Sequence, residues 1–138
     1  MNILIMGMGY VGVTTGLVFA ELGWQVTGLD TDKMKIQALS EGHLSFYEPG
    51  LDLLLKKHLE SGKISFSFSP EKSIQDNNII FICVGTPSDK DGSADLHAVR
   101  GAALSIGLFM NDYKIITVKS TVPIDTNHKV VKWIKESQ

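Results

Sequence analysis

Apolar residues in this chain fall into short unbroken runs separated by longer stretches with helical spacing. Residues 2–6 and 79–84 are almost wholly apolar, and residues 25–30 and 115–118 nearly so, which predicts buried parallel strands rather than half-exposed ones. Residues 64–68 alternate with period two and predict a strand with one more polar face. Between them, residues 10–22, 33–40, 51–61, 70–76, 95–110 and 125–135 carry helix-compatible sequence. Gly23 suits the position just past the first of these helices, Thr31 or Asp32 can cap the second, and Gly62 ends the third. Met34, Ile36 and Leu39 are the apolar residues of the second helix. Leu96, Val99, Ala103 and Ile106 turn inward from the fifth, and Val130, Val131 and Ile134 share one side of the last. Residues 42–50, 85–94 and 120–123 read as loops by their glycines, prolines and polar residues.

Strands and helices alternate throughout, which predicts the α/β class: a doubly wound parallel sheet with helices on both faces and right-handed crossovers. The first strand sharpens this. It ends in Gly7-Met8-Gly9-Tyr10-Val11-Gly12, and a helix follows. Gly7 permits a tight turn, Gly9 lets a pyrophosphate approach the backbone, and Gly12 lets helix and strand lie close. The free N–H groups and positive dipole end of that helix then face the phosphates. Glycine triplets also occur in strand-to-helix turns that hold no ligand. Here the second strand ends in an acid, Asp30, about twenty residues on, placed to accept hydrogen bonds from the adenosine ribose. Its charge would repel a 2′-phosphate and no arginine lies near, so the pattern predicts NAD rather than NADP. The expected fold is therefore Rossmann-type, with strand order 3-2-1-4-5. Gly7–Gly12, Asp30, residues 85–94 and residues 120–123 should converge at the carboxyl ends of the strands.

Composition narrows the partners. The chain has 138 residues, one domain's worth, enough to bury roughly 68–70% of its unfolded surface. A net charge of −2 gives no electrostatic case for nucleic acid or an anionic membrane. No apolar stretch approaches the ~20 residues of a membrane span, and the N-terminus lacks the basic region of a signal peptide. The single cysteine, Cys83, excludes an internal disulfide and fits a reducing, cytoplasmic setting. It lies in an apolar strand, where cysteine behaves as a small buried hydrophobe. His43, His58, His97 and His128 show no metal-ligand spacing, so no metal is expected.

The same residues carry a family likeness over essentially the whole chain. Besides the glycine loop, Tyr47-Glu48-Pro49-Gly50-Leu51, Val84-Gly85-Thr86-Pro87 with residues 91–96, and Ser120-Thr121-Val122-Pro123 resemble the N-terminal NAD-binding domain of the UDP-glucose/GDP-mannose dehydrogenases, closest to the UDP-glucose enzymes. The resemblance implies oxidation of a nucleotide-sugar C6 alcohol to a carboxylate with two NAD. By the same resemblance, Tyr10, Val11 and their neighbours contact the pyrophosphate, and Asp30 and Lys35 hold the adenosine ribose. Thr86 and Thr121 lie near the nicotinamide, Thr121 also close to the reacting centre in a supporting catalytic role. The family's catalytic cysteine, catalytic lysine and most sugar-binding residues belong to later segments, so the chain is expected to be the cofactor half of a cytoplasmic enzyme with little turnover of its own. Homodimerisation stays open, because the family's dimer elements lie mostly beyond this chain. Each residue keeps a plainer reading. Lys35 can be a solvated helix lysine, and Thr86 and Thr121 can tie down their turns. Glu48 can be a site residue or a loop brace. Asp125, where the family usually has glycine, can cap the last helix.

Overall fold

A computed structural model describes residues 2–85, 96–119 and 126–138. The elements run β1 (Asn2–Met6), α1 (Tyr10–Glu21), β2 (Gln25–Leu29), α2 (Lys33–Ser40), α3 (Leu51–Ser61), β3 (Ile64–Ser67), α4 (Pro70–Gln75), β4 (Ile79–Ile82), α5 (His97–Phe109), β5 (Ile115–Val118) and α6 (Thr126–Ser137). The strands form one parallel sheet in the order β3-β2-β1-β4-β5, as the alternation and glycine loop predict.

β1 sits in the middle and feeds both faces. Ile3 and Ile5 point into a core shared with Val13 and Leu17 of α1, Ile36 and Leu39 of α2, and Leu55 of α3. Leu4 and Met6 point the other way, into a core shared with Ile74 of α4, Val99, Ala103 and Ile106 of α5, and Val130 of α6. Side chains on both sides of a central strand are thus removed from water, each worth about 1.5–3 kcal/mol, and an unbroken apolar run is what such a strand requires. Not every apolar residue of the outer helices is buried. Met34 is 82% exposed and Val131 52% exposed, so α2 buries Ile36 and Leu39 while α6 buries Val130 and half-buries Ile134. Both helices lie at the sheet's outside, where one narrow stripe suffices.

Backbone chemistry stops the helices where the sequence places the breaks. After α1, Gly23 takes φ +93, its N–H bonds to Ala20 O, and Trp24 N–H reaches back to Phe19 O. That pair of bonds is a Schellman closure. Gly62 closes α3 in the left-handed region with φ +76. Asp32 rather than Thr31 caps α2, its Oδ1 accepting the N–H groups of Met34 and Lys35 at 3.1 and 3.2 Å. Behind the sheet's amino-terminal edge, the buried Lys114 ammonium donates to Asn77 O (2.7 Å) and Gln75 O (3.2 Å) and lies 3.3 Å from an Asp112 oxygen. Among the described residues no helix is long and apolar enough to cross a membrane.

Candidate functional site: a crevice at the carboxyl ends of the strands

All strands point the same way, so the segments that follow them gather at one end of the sheet. There they line a crevice of about 870 Å³. Its floor is Met6–Gly9 and Cys83–Gly85, one side is Leu29–Thr31 with Lys35, and the other is the face of α5 carrying Ala98, Gly101 and Ser105. Tyr10 and Val11 stand at its mouth, 52% and 46% exposed. The structure therefore brings together Gly7, Gly9, Tyr10, Val11, Asp30 and Lys35, with Gly12 directly behind them. Thr86, Thr121 and Asp125 lie outside the described residues, as does most of the polar loop after β4.

The three loop glycines are glycine for three different reasons. Gly7 has φ +101, and a Cβ there would sit 2.8 Å from the Cys83 carbonyl and the Val84 Cα. At Gly12 a Cβ would overlap the carbonyl oxygen of Gly7, so α1 can lie this close only without a side chain. Gly9 differs. Its φ of −81 suits any residue, and a Cβ there would meet nothing within 4 Å. Among the described residues nothing asks for glycine at position 9, whereas a group placed in the crevice would. Gly9 is the residue before α1 and has no side chain to cap it. Val13 N–H bonds to Gly9 O, and among the described residues the first-turn N–H groups of Tyr10, Val11 and Gly12 carry no hydrogen bond. They form a donor cluster at a helix amino end, the arrangement that receives phosphate oxygens. An open glycine, free amides and an acid on the next strand fit a dinucleotide.

Asp30 faces the crevice with its side chain 14% exposed. It is also tied to the loop, a link absent from the sequence reading. Its Oδ2 accepts the Met8 N–H at 2.8 Å and its Oδ1 accepts the Asp32 N–H at 2.9 Å. Lys35 Nζ lies 3.6 Å from Oδ2 and is about one-third exposed, so it is neither a solvated helix lysine nor deeply buried. An ionised carboxylate offers about four acceptor positions, so two backbone bonds leave room for ribose hydroxyls.

Other expectations resolve as packing. Cys83 is buried, and burial pushes its thiol up to about 11, with Lys119 pulling weakly the other way. It is a poor nucleophile near neutral pH, consistent with a core role. His58 is buried and bonds through Nε2 to Glu21 at 2.7 Å, while its Nδ1 has no partner among the described residues. That bond, with Lys57 at 3.0 Å, holds the Glu21 carboxyl below its usual range. Glu48 is exposed, and its carbonyl accepts the Leu51 N–H at the start of α3. The sequence reading missed the α5 wall and Lys119. Topology could have found both, because the start of α5 and the residue after β5 must lie at the carboxyl end of a parallel sheet.

Fold and crevice together define a dinucleotide-binding domain of the Rossmann type. Comparison with known proteins makes this specific: residues 1–138 match the model of the UDP-glucose/GDP-mannose dehydrogenase family NAD binding domain, and the chain belongs to that family. It is 41% identical over 136 residues to the UDP-glucose 6-dehydrogenase TuaD of Bacillus subtilis, covering 99% of this chain and 30% of that one. A UDP-glucose dehydrogenase structure from Pyrobaculum islandicum superposes with a TM-score of 0.93 at 38% identity, covering 99% and 32%. A GDP-mannose dehydrogenase from Pseudomonas aeruginosa gives 0.94 at 33%, with the same coverage. The chain thus spans about a third of the length of these relatives. Its family role is the oxidoreductase's NAD-binding part.

Proposed function

We propose that this chain holds NAD for a nucleotide-sugar dehydrogenase that oxidises the C6 alcohol of UDP-glucose to the carboxylate with two NAD, in the cytoplasm. The observation that carries the cofactor reading is Gly9. It is an unstrained glycine whose side-chain position no described atom approaches within 4 Å, beside first-turn amides that have no hydrogen-bond partner among the described residues. The names of the relatives at 37–41% identity favour UDP-glucose over GDP-mannose as the substrate.

In this reading the first-turn amides of α1 grip the pyrophosphate, and Asp30 and Lys35 hold the adenosine ribose. Bound there, NAD supplies the hydride acceptor. Thr86 and Thr121, by family likeness, stand near its nicotinamide end. The chain's own part is to bind, orient and keep the glycine loop still. The sugar, the proton acceptor and the thiol needed for the second oxidation are assigned to the remainder of a longer enzyme. Cys83 is not assigned that thiol, because it is buried and its ionisation is suppressed.

Calorimetric titration tests this. The purified chain is expected to bind NAD saturably with 1:1 stoichiometry, NADP more weakly, and UDP-glucose weakly or not at all, with no appreciable NADH formed when both are present. Turnover at an ordinary enzyme rate, or no binding of NAD, would contradict the assignment.

A further inference from the structure

The loop between α2 and α3 reaches the crevice mouth through one aromatic contact. Phe46 meets the ring of Tyr10 edge to face, with centroids 5.0 Å apart and planes at 65°. Phe46 is itself anchored, half-buried against the core on the α1 side of the sheet. The loop behind it is pinned at both ends, His43 N–H to Ala38 O at 2.8 Å and Leu51 N–H to Glu48 O at 3.1 Å. Tyr10 is the first residue of α1, immediately after Gly9, and so carries one of the first-turn amides beside the crevice. Its ring is half exposed and lines the same space.

We propose that Phe46 is a positioning residue for the cofactor: by clasping the Tyr10 ring from the side it fixes the first turn of α1 and keeps the ring out of the pyrophosphate's place. This deepens the NAD-holding reading and rests on it. Gly9 provides no cap, so this end of the helix lacks the side-chain bond that commonly fixes a first turn. The aromatic pair supplies that restraint instead. Without it, Tyr10 regains rotamer freedom, and binding must freeze it again. The effect is expected at the pyrophosphate end, because Asp30 and Lys35 belong to the β2 side of the crevice.

The test compares NAD with adenosine, which has the base and ribose but no phosphate. An aromatic pair of this kind is worth roughly a two- to tenfold change in affinity. Phe46→Ala is therefore expected to weaken NAD binding by about fivefold while adenosine affinity moves by less than about twofold. Phe46→Tyr, which keeps the ring, should restore NAD affinity. Phe19→Leu serves as the control for lost core packing, since Phe19 contacts Trp24 and Phe81; it should lower Tm and leave both affinities unchanged. Equal losses for NAD and adenosine in Phe46→Ala, or no loss for either in a folded variant, would overturn the proposal. Failure of the unaltered chain to bind NAD would overturn the cofactor reading as well, and so is distinguishable from failure of Phe46 alone.

Discussion

Gly9→Ala should leave the chain folded but weaken NAD binding by about tenfold or more, whereas Gly12→Ala should damage the fold itself. The two positions are three residues apart in one loop, yet their surroundings demand opposite outcomes. A methyl on Gly9 meets no atom of the described residues within 4 Å. Its folding cost is that of a poorer N-cap, about half a kcal/mol, although it occupies the space a phosphate would need. A methyl on Gly12 overlaps the Gly7 carbonyl, which is backbone and cannot swing away. Moving α1 off the sheet to relieve it opens the packing of Val13 and Leu17, so about 2–3 kcal/mol of stability should go, despite the gain in helix propensity. Thermal unfolding and NAD titration of the two variants check this. A Gly9→Ala variant with unchanged affinity would show that the empty space is not a ligand site.

The second large effect belongs to Asp30. Asp30→Ala should lower NAD affinity by about a hundredfold and narrow the preference for NAD over NADP. Two contributions add. Ribose hydroxyls lose a charged acceptor worth about 1.5–3 kcal/mol, and the part-buried Met8 N–H loses its own acceptor, which loosens the glycine loop. Removing the carboxylate also frees Lys35, 3.6 Å away, to face a 2′-phosphate. Asp30→Asn should be nearly as harmful although it keeps the shape. Met8 N–H, Asp32 N–H and the Lys35 ammonium all point donors at this group, and an amide brings two more. Titrating both variants with NAD and NADP, alongside their melting temperatures, checks the claim. An Asn variant with native affinity would contradict it.

Most of this architecture could be read from the chain because local and global signals agree. Unbroken apolar runs specify a sheet covered on both faces, and the glycines that end α1 and α3 can adopt the left-handed conformation found there. The strand order follows once the glycine loop marks β1. Lys35 was less legible, since a lysine in a helix reads as solvated until its distance to Asp30 is known. The bond from Met8 to Asp30 was illegible, because a backbone amide leaves no trace in residue identity. Phe46 was hidden for a related reason. Its partner lies 36 positions away, and periodicity cannot see a contact made by a loop. Met34 and Val131 stay exposed although apolar, because an outer helix need bury only one narrow stripe.

The central claim is that the free first-turn amides of α1 and the carboxylate of Asp30 together hold the dinucleotide. Titration of the 15N-labelled chain with NAD, followed amide by amide, tests it most directly. The account predicts that the largest shifts fall on Tyr10, Val11 and Gly12, with Met8 and Asp32 moving as Asp30 takes up the ribose. Shifts centred elsewhere, with these five amides unmoved at saturating NAD, would contradict it.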